Sequence, residues 1–231
     1  MNKLKRAIVS LVLAGCMVVG GNAMAQTSLL TGGFLSNGGN ALQNSDSTSP
    51  WIDSLAWNSF FDTTSAPPPN FYGEVGTWVS NSDSLNPFGS GSLTFLYQFV
   101  NCDSSVTYPS CGGKVSTDAI TRWTLTGFDG YKTSVAYTTA WSGIDMVLVD
   151  RFNSNNIGVS YASVHPGQAG NLIVYTNATS YGTSTSFFQD GGQGNAAIFA
   201  PIPEPETYAM LLAGLGLMGF VARRRRQNAA A

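Results

Sequence analysis

The residues of this sequence that can do chemistry are few, and two cysteines come first. Cys102 and Cys111 are nine positions apart, and Pro109 and the pair Gly112 and Gly113 mark a bend in the chain there. Outside the cytoplasm a disulfide between them is the expected state. Two free thiols are the alternative, and a zinc site would need further ligands that the neighbouring sequence lacks.

The sequence shows no convergent catalytic set. His165, the only histidine, lies in a His-Pro-Gly turn, and the chain lacks the G-x-S-x-G elbow that accompanies many serine nucleophiles. Asp145 and Asp150 bracket an apolar run and are the carboxylate pair considered for glycoside hydrolysis. Residues five positions apart on a strand point to opposite faces. The sequence therefore predicts a protein that is not an enzyme, and a secreted hydrolase is the weakest alternative.

Other side chains suit sugars or calcium. Trp51 and Trp57 precede a triple-proline run, and their rings can stack on sugars as well as pack in a core. Residues 191–194 partly match a calcium-binding nonapeptide, but Ala196 stands where that motif needs aspartate. A further group of oxygen ligands is interpreted as a solvated loop: Asn81, Asp83 and Asn86. No metal site and no cofactor is predicted.

Short runs rich in β-branched and aromatic residues must position these groups. Nine such runs, bounded by Gly, Pro, Asn and Asp, predict an all-β fold, a β-sandwich of the jelly-roll kind. In one run the apolar Trp123 and Leu125 alternate with polar residues, which indicates a sheet with one solvated face, although Ile120 falls on the polar side. The dipeptide Asp129-Gly130 predicts a hairpin between that run and the next.

Composition separates the body of the chain from its ends. Charged residues make up 10% of the sequence, against about 25% in an average soluble protein. The net charge of −2 excludes a strongly basic nucleic-acid binder. Residues 26–202 hold four basic and eleven acidic residues, a net charge of −7, whereas both ends are basic. The body is predicted as the exported β-domain, with residues 26–50 as an irregular lead-in.

The N-terminus has the three parts of a secretory signal peptide. Three basic residues precede an apolar stretch over residues 7–20, and a small-x-small site follows. This pattern predicts a signal peptide over residues 1–25, cut by signal peptidase at a site formed by Ala23, Ala25 and Gln26. The alternative is a lipobox, which Leu13-Ala14-Gly15-Cys16 resembles and in which Cys16 would be lipidated.

The C-terminus has the layout of a temporary membrane anchor. Residues 208–222 form an apolar stretch of 15 residues, about 22 Å as a helix and shorter than the roughly 30 Å hydrocarbon core. Four arginines follow and would hold this end in the cytoplasm: Arg223, Arg224, Arg225 and Arg226. The pattern predicts a single transmembrane helix over residues 208–222, with a core helix ending in a basic face as the alternative.

Pro203, Glu204 and Pro205 precede that stretch, and the tripeptide, apolar span and arginine cluster together resemble the PEP-CTERM sorting signal of Gram-negative bacteria. The resemblance covers residues 203–231. It implies processing by exosortase, a membrane-embedded cysteine transpeptidase, after transient anchoring in the inner membrane. It also implies delivery to the cell surface or extracellular matrix and a link to exopolysaccharide. A looser resemblance to the last strands of PEP-CTERM ectodomains covers the segment from His165 to Gly192.

The expected function is that of an exported surface or matrix protein with a structural or interaction role in a biofilm. The alternative is a carbohydrate-binding module, assisted by calcium, in which Trp51 and Trp57 stack on the sugar. Exosortase, signal peptidase and extracellular polysaccharide are the expected partners, and nucleic acid is not one.

Overall fold

Strands dominate the structure. The computed structural model describes residues 27–28, 34–36, 51–106, 111–137, 146–202 and 210–218. The strands are β1 (Thr27–Ser28), β2 (Phe34–Ser36), β3 (Asp53–Phe61), β4 (Tyr72–Ser80), β5 (Thr94–Asn101), β6 (Ile120–Leu125), β7 (Thr133–Ala136), β8 (Met146–Asp150), β9 (Ile157–Val164), β10 (Ala169–Thr176), β11 (Tyr181–Asp190) and β12 (Gly192–Pro201). The helical parts of the described chain are a 3-10 turn at Cys111–Gly113 and residues 210–218. The prediction of an all-β fold is confirmed.

The strands form two antiparallel sheets of six. Sheet A has the order β1-β7-β10-β5-β4-β3, and sheet B has the order β12-β11-β6-β9-β8-β2. Two of these strands, β1 and β2, lie inside the predicted lead-in over residues 26–50 and pair with β7 and β8. The described parts of the lead-in therefore contribute an edge strand to each sheet.

The chain passes between the sheets in a nested pattern. β8 pairs with β9 in sheet B, β7 with β10 in sheet A, and β6 with β11 in sheet B. Nested pairs in alternating sheets are the wrap of a jelly roll. The next pair outward would be β5 with β12, but β5 pairs with β4 and β10, and β12 pairs with β11. The described topology therefore has three nested pairs of the jelly-roll wrap.

One hydrophobic core lies between the two sheets and draws residues from both. Trp123 of sheet B stands edge-on to Phe99 of sheet A, with ring centroids 4.9 Å apart. Phe188 of sheet B stacks on Phe60 of sheet A, with centroids 3.6 Å apart. Because buried aromatic rings remove large apolar areas from water, these inter-sheet contacts contribute much of the folding free energy.

The predicted alternation in β6 is confirmed, and its exception has a structural cause. Trp123 and Leu125 are fully buried, whereas Arg122 and Thr124 reach the outer side of sheet B. Ile120 is also fully buried, because the register of β6 against β9 shifts between Ile120 and Arg122. Such a bulge turns the strand and brings Ile120 to the core face.

The predicted hairpin at Asp129-Gly130 is wrong. The chain does turn there, and Gly130 has a φ of 81°. However, β6 lies in sheet B and β7 in sheet A, so the turn carries the chain across the sandwich. An Asp-Gly pair specifies a tight turn, but it does not specify that the two flanking strands pair with each other.

The outer faces of the two sheets differ. In sheet A, β5 is buried along its whole length and β10 along nearly all of it. A second apolar cluster lies on this outer side: Leu96, Ala136, Ile173 and Tyr175, packed against Trp51, Trp78, Leu85 and Phe88. In sheet B, the outward residues of β6, β11 and β12 are half-buried or exposed. Among the described residues, the outer face of sheet B is thus more exposed than the outer side of β5 and β10 in sheet A.

Several predicted features lie outside the described residues: the signal peptide with Cys16, the tripeptide Pro203 to Pro205, and the cluster Arg223 to Arg226. The helical residues 210–218 fall within the predicted span over residues 208–222. In the described part of the chain, no helix has the length and apolar character needed to cross a membrane.

Candidate functional site

The two cysteines form the predicted disulfide. Cys102 follows β5, Cys111 begins the 3-10 turn, and their Cα atoms are 5.7 Å apart. Both are buried. The backbone on either side is tied down as well, because the N–H of Cys102 donates to Tyr72 and the N–H of Ser116 donates to Cys102. The disulfide therefore closes the loop after β5, and the hydrogen bond from Cys102 to Tyr72 ties that loop to the start of β4.

The residues considered for catalysis make contacts that hold the fold together. His165 is exposed in the turn between β9 and β10, where its backbone N–H donates to the side chain of Gln168 at 2.7 Å. Asp150 ends β8 and accepts two hydrogen bonds from the Arg122 guanidinium, at 2.7 and 2.9 Å. Asp145 lies outside the described residues. Of the carboxylate pair considered for hydrolysis, the structure thus describes one member, and an arginine neutralises it.

Both tryptophans considered for sugar stacking lie against other aromatic or apolar groups. Trp57 of β3 stands edge-on to Trp78 of β4, with ring centroids 5.5 Å apart. Trp51 packs against the apolar cluster on the outer side of sheet A. Each is half-buried. Sugar stacking by these two residues stays a prediction.

The segments considered for calcium shape turns. Gly191 lies between β11 and β12 with a φ of 67°, so residues 191–194 form the tip and start of a hairpin. The interpretation of the loop after β4 as solvated is wrong for Asp83 and Asn86, which are both buried. Their polar groups are used inside the fold, because Asp83 accepts from the N–H of Leu85 and Asn86 donates to the carbonyl of Leu93. Across the described ranges, no three His, Cys, Asp or Glu side chains are grouped to hold a metal ion.

The outer face of sheet B carries a groove that sequence reasoning missed. Its cavity of about 290 Å³ is lined by Arg122, Thr124, Phe152, Phe187 and Gln189. Gln189 lies opposite Arg122 and Phe187 opposite Thr124 in the pairing of β11 with β6. Phe152 and Phe187 are 53% and 41% exposed, unlike the aromatic rings of the core. We call this feature the sheet B groove.

Arg122, which lines the sheet B groove, is held in an ion pair. Arg122 reaches from β6 across β9 to Asp150 on β8 and also donates to Ser160 Oγ at 2.8 Å. The guanidinium passes directly over Gly158, where a Cβ would come within 2.0 Å of one of its nitrogens. Glycine alone leaves that space, so the bare backbone of β9 permits the pair. The ring of Phe152 lies 5.9 Å from the guanidinium carbon.

A second cleft, of about 280 Å³, lies beside the disulfide on the β3–β4 side of the molecule. Phe61 and Tyr72 line it, and Lys114 Nζ sits 4.9 Å from the centre of the Tyr72 ring. Glu74 is also in its wall; burial raises the pKa of this carboxyl, against a hydrogen bond from Ser59 that lowers it. The two clefts are on different sheets.

Comparison with known proteins identifies one segment. Residues 201–226 match the family described as the PEP-CTERM protein-sorting motif. The match begins at Pro201, the last residue of β12. No curated protein and no solved structure gives a significant match to the chain.

Proposed function

We propose that this chain, which carries a PEP-CTERM sorting motif at residues 201–226, is an exosortase substrate with a structural or interaction role in an exopolysaccharide matrix. The motif implies export and exosortase-mediated sorting to the surface of a Gram-negative bacterium. The link to a biofilm matrix, the transient anchor in the inner membrane and the absence of catalysis are parts of the proposal.

The position of the motif carries this proposal. In the described part of the chain the last strand, β12, ends at Pro201, and the tripeptide Pro203, Glu204 and Pro205 comes directly after Ile202. A cut near the tripeptide would therefore leave all the described strands in place. Such a layout suits a folded domain that is delivered and then released from its anchor.

Fractionation of the host cell, with mass spectrometry of the mature termini, tests the proposal. The wild-type chain should begin at Gln26, end near the tripeptide and occur at the surface or in the medium. Glu204→Ala should accumulate as an uncut, membrane-bound form, whereas the matched control Glu206→Ala, two residues on, should be processed normally. An uncut cytoplasmic wild-type chain, or normal processing of Glu204→Ala, would contradict the proposal.

A carbohydrate-binding module is the second candidate. Its support is the outer face of sheet B with two exposed phenylalanines, Phe152 and Phe187. In the version that the sequence suggests, Trp51 and Trp57 stack on the sugar and calcium assists. A secreted hydrolase has less support, because Arg122 already neutralises Asp150.

A further inference from the structure

We infer that the sheet B groove binds a chain of uncharged sugars. This inference rests on the proposed extracellular role and assigns it a place on the molecule, on the opposite sheet from Trp57.

The two phenylalanines of the groove are both partly exposed to solvent. Phe187 is 41% exposed on β11 and Phe152 is 53% exposed after β8, whereas core rings such as Phe99 are fully buried. Exposing such rings is unfavourable in water unless a ligand covers them. The C–H faces of pyranose rings are apolar and flat, and they stack on aromatic faces of this kind.

Polar groups between and beside the rings match sugar hydroxyls. Arg122, Thr124 and Gln189 line the cavity and offer both donors and acceptors. The polar surface continues onto β12, where the exposed Gln193 and Asn195 lie opposite Gln189 and Phe187. Because the row crosses several strands, it suits a chain of sugars better than a single ring.

Charge indicates that the sugars are neutral. The cation of the groove, Arg122, is already paired with Asp150 through two hydrogen bonds. The predicted mature body has a net charge of −7, which repels polyanions such as uronate polymers at long range. This negative charge does not repel a neutral polymer.

The arginine is held in place before any ligand arrives. Asp150 and Ser160 take three hydrogen bonds from the Arg122 guanidinium, and Gly158 leaves the space it occupies. Groups fixed in advance cost less conformational entropy on binding. Gly158→Ala should displace the guanidinium while leaving both phenylalanines and every charge in the chain.

Affinity electrophoresis of the full chain in mild detergent tests the inference. The probes are dextran, laminarin and galactomannan as uncharged polymers, and alginate as the anionic one. The wild type should be retarded by at least one uncharged polymer and not by alginate. Phe187→Ala and Gly158→Ala should each weaken binding by about two- to tenfold, the range expected for one aromatic or polar contact.

Phe61→Ala is the matched control, because Phe61 is 49% exposed but lines the other cleft. It should bind as the wild type does. Thermal unfolding of each variant separates lost binding from lost structure, and Gln189→Ala replaces Gly158→Ala if the latter unfolds. The inference is overturned if no uncharged polymer retards the wild type, or if alginate alone does. It is also overturned if only Phe61→Ala weakens binding. The fractionation result is independent, so a correctly sorted chain that binds no sugar would refute only the sugar site.

Discussion

Asp62 shows how a single buried carboxylate joins the two sheets. It follows β3 of sheet A and is 1% exposed. Its Oδ1 accepts from the N–H and the hydroxyl of Thr64, each at 2.9 Å, and from the N–H of Gln193 on β12 at 3.3 Å. Gly192 is required beside it, since a Cβ there would come within 2.3 Å of Oδ1. The contact links a loop of sheet A to the β11–β12 hairpin of sheet B.

Asp62→Asn should reduce acid sensitivity. Burial acts to raise the pKa of Asp62, but the hydrogen bonds from Ser65 and Thr64 outweigh burial and lower the pKa well below its usual value. A lowered folded-state pKa stabilises the fold above the unfolded-state pKa near 4, and that contribution is lost as pH falls. At pH 7 the free energy of unfolding of the variant should be about 1–2 kcal/mol below that of the wild type, and it should decline less below pH 4.

Chemical unfolding at pH 7 and pH 3 measures both effects. Asp53→Asn, the same substitution at an exposed position, is the matched control. An Asp62→Asn variant with the full wild-type decline below pH 4 would show that Asp62 does not supply it.

At the scale of elements, Arg151 holds the connections around β7 and β8. It is 4% exposed in the loop after β8. Its guanidinium donates to the carbonyls of Phe128, Tyr131 and Ser154 at 2.8, 2.9 and 2.6 Å. Burial lowers the pKa of Arg151, and the charge of Asp129 counters this. One side chain thus donates hydrogen bonds to two carbonyls in the turn that crosses from sheet B to sheet A.

Arg151→Met should destabilise the fold by about 3 kcal/mol, because it leaves buried carbonyls without donors. Arg122→Met is the control, since Arg122 and Asp150 are partly exposed and their pair should contribute about 1 kcal/mol. Urea unfolding of both variants gives the comparison. Equal losses would mean that burial does not distinguish the two arginines.

Local features of the fold could be predicted from sequence, and pairings could not. The sequence pattern of β4 is regular enough to be identified as a strand. β3 is harder to predict, because its register against β4 shifts between Leu55 and Asn58, which breaks the alternation that identifies a strand. The disulfide could be predicted from the sequence, because Cys102 and Cys111 are the only cysteines outside the predicted signal peptide.

The groove could not be predicted, since its parts meet only through strand register. Arg122 and Asp150 are 28 residues apart in sequence, and Phe187 reaches Thr124 from a strand much later in the chain. The outward position of Arg122 was visible in the alternation of β6. The partners of Arg122 depend on which strands are neighbours in the sheet. Contacts between distant parts of the chain determine that order, and the spacing of residues in the sequence does not.

At the scale of the whole molecule, the disulfide connects stability with compartment. The Cys102–Cys111 bond should contribute about 2–3 kcal/mol, because it closes a short loop in the unfolded chain. Exported protein should therefore melt at a higher temperature than cytoplasmic, reduced protein. Thermal unfolding with and without reductant measures the difference. In the Cys102→Ser/Cys111→Ser double variant reductant should have no effect, and a wild type insensitive to reductant would contradict the prediction.

The edge position of β12 determines where mechanical load enters the domain. A chain tethered through the sorting segment is pulled at Ile202, which Ser180 holds through one backbone and one side-chain hydrogen bond, at 3.2 and 2.9 Å. Beyond it, Pro201 pairs with Tyr181 at the open end of the β11–β12 hairpin. Tension or shear from a moving matrix would separate this ladder pair by pair from that end. Resistance would come from the buried row of β12, in which Ile198 and Ala200 are fully enclosed.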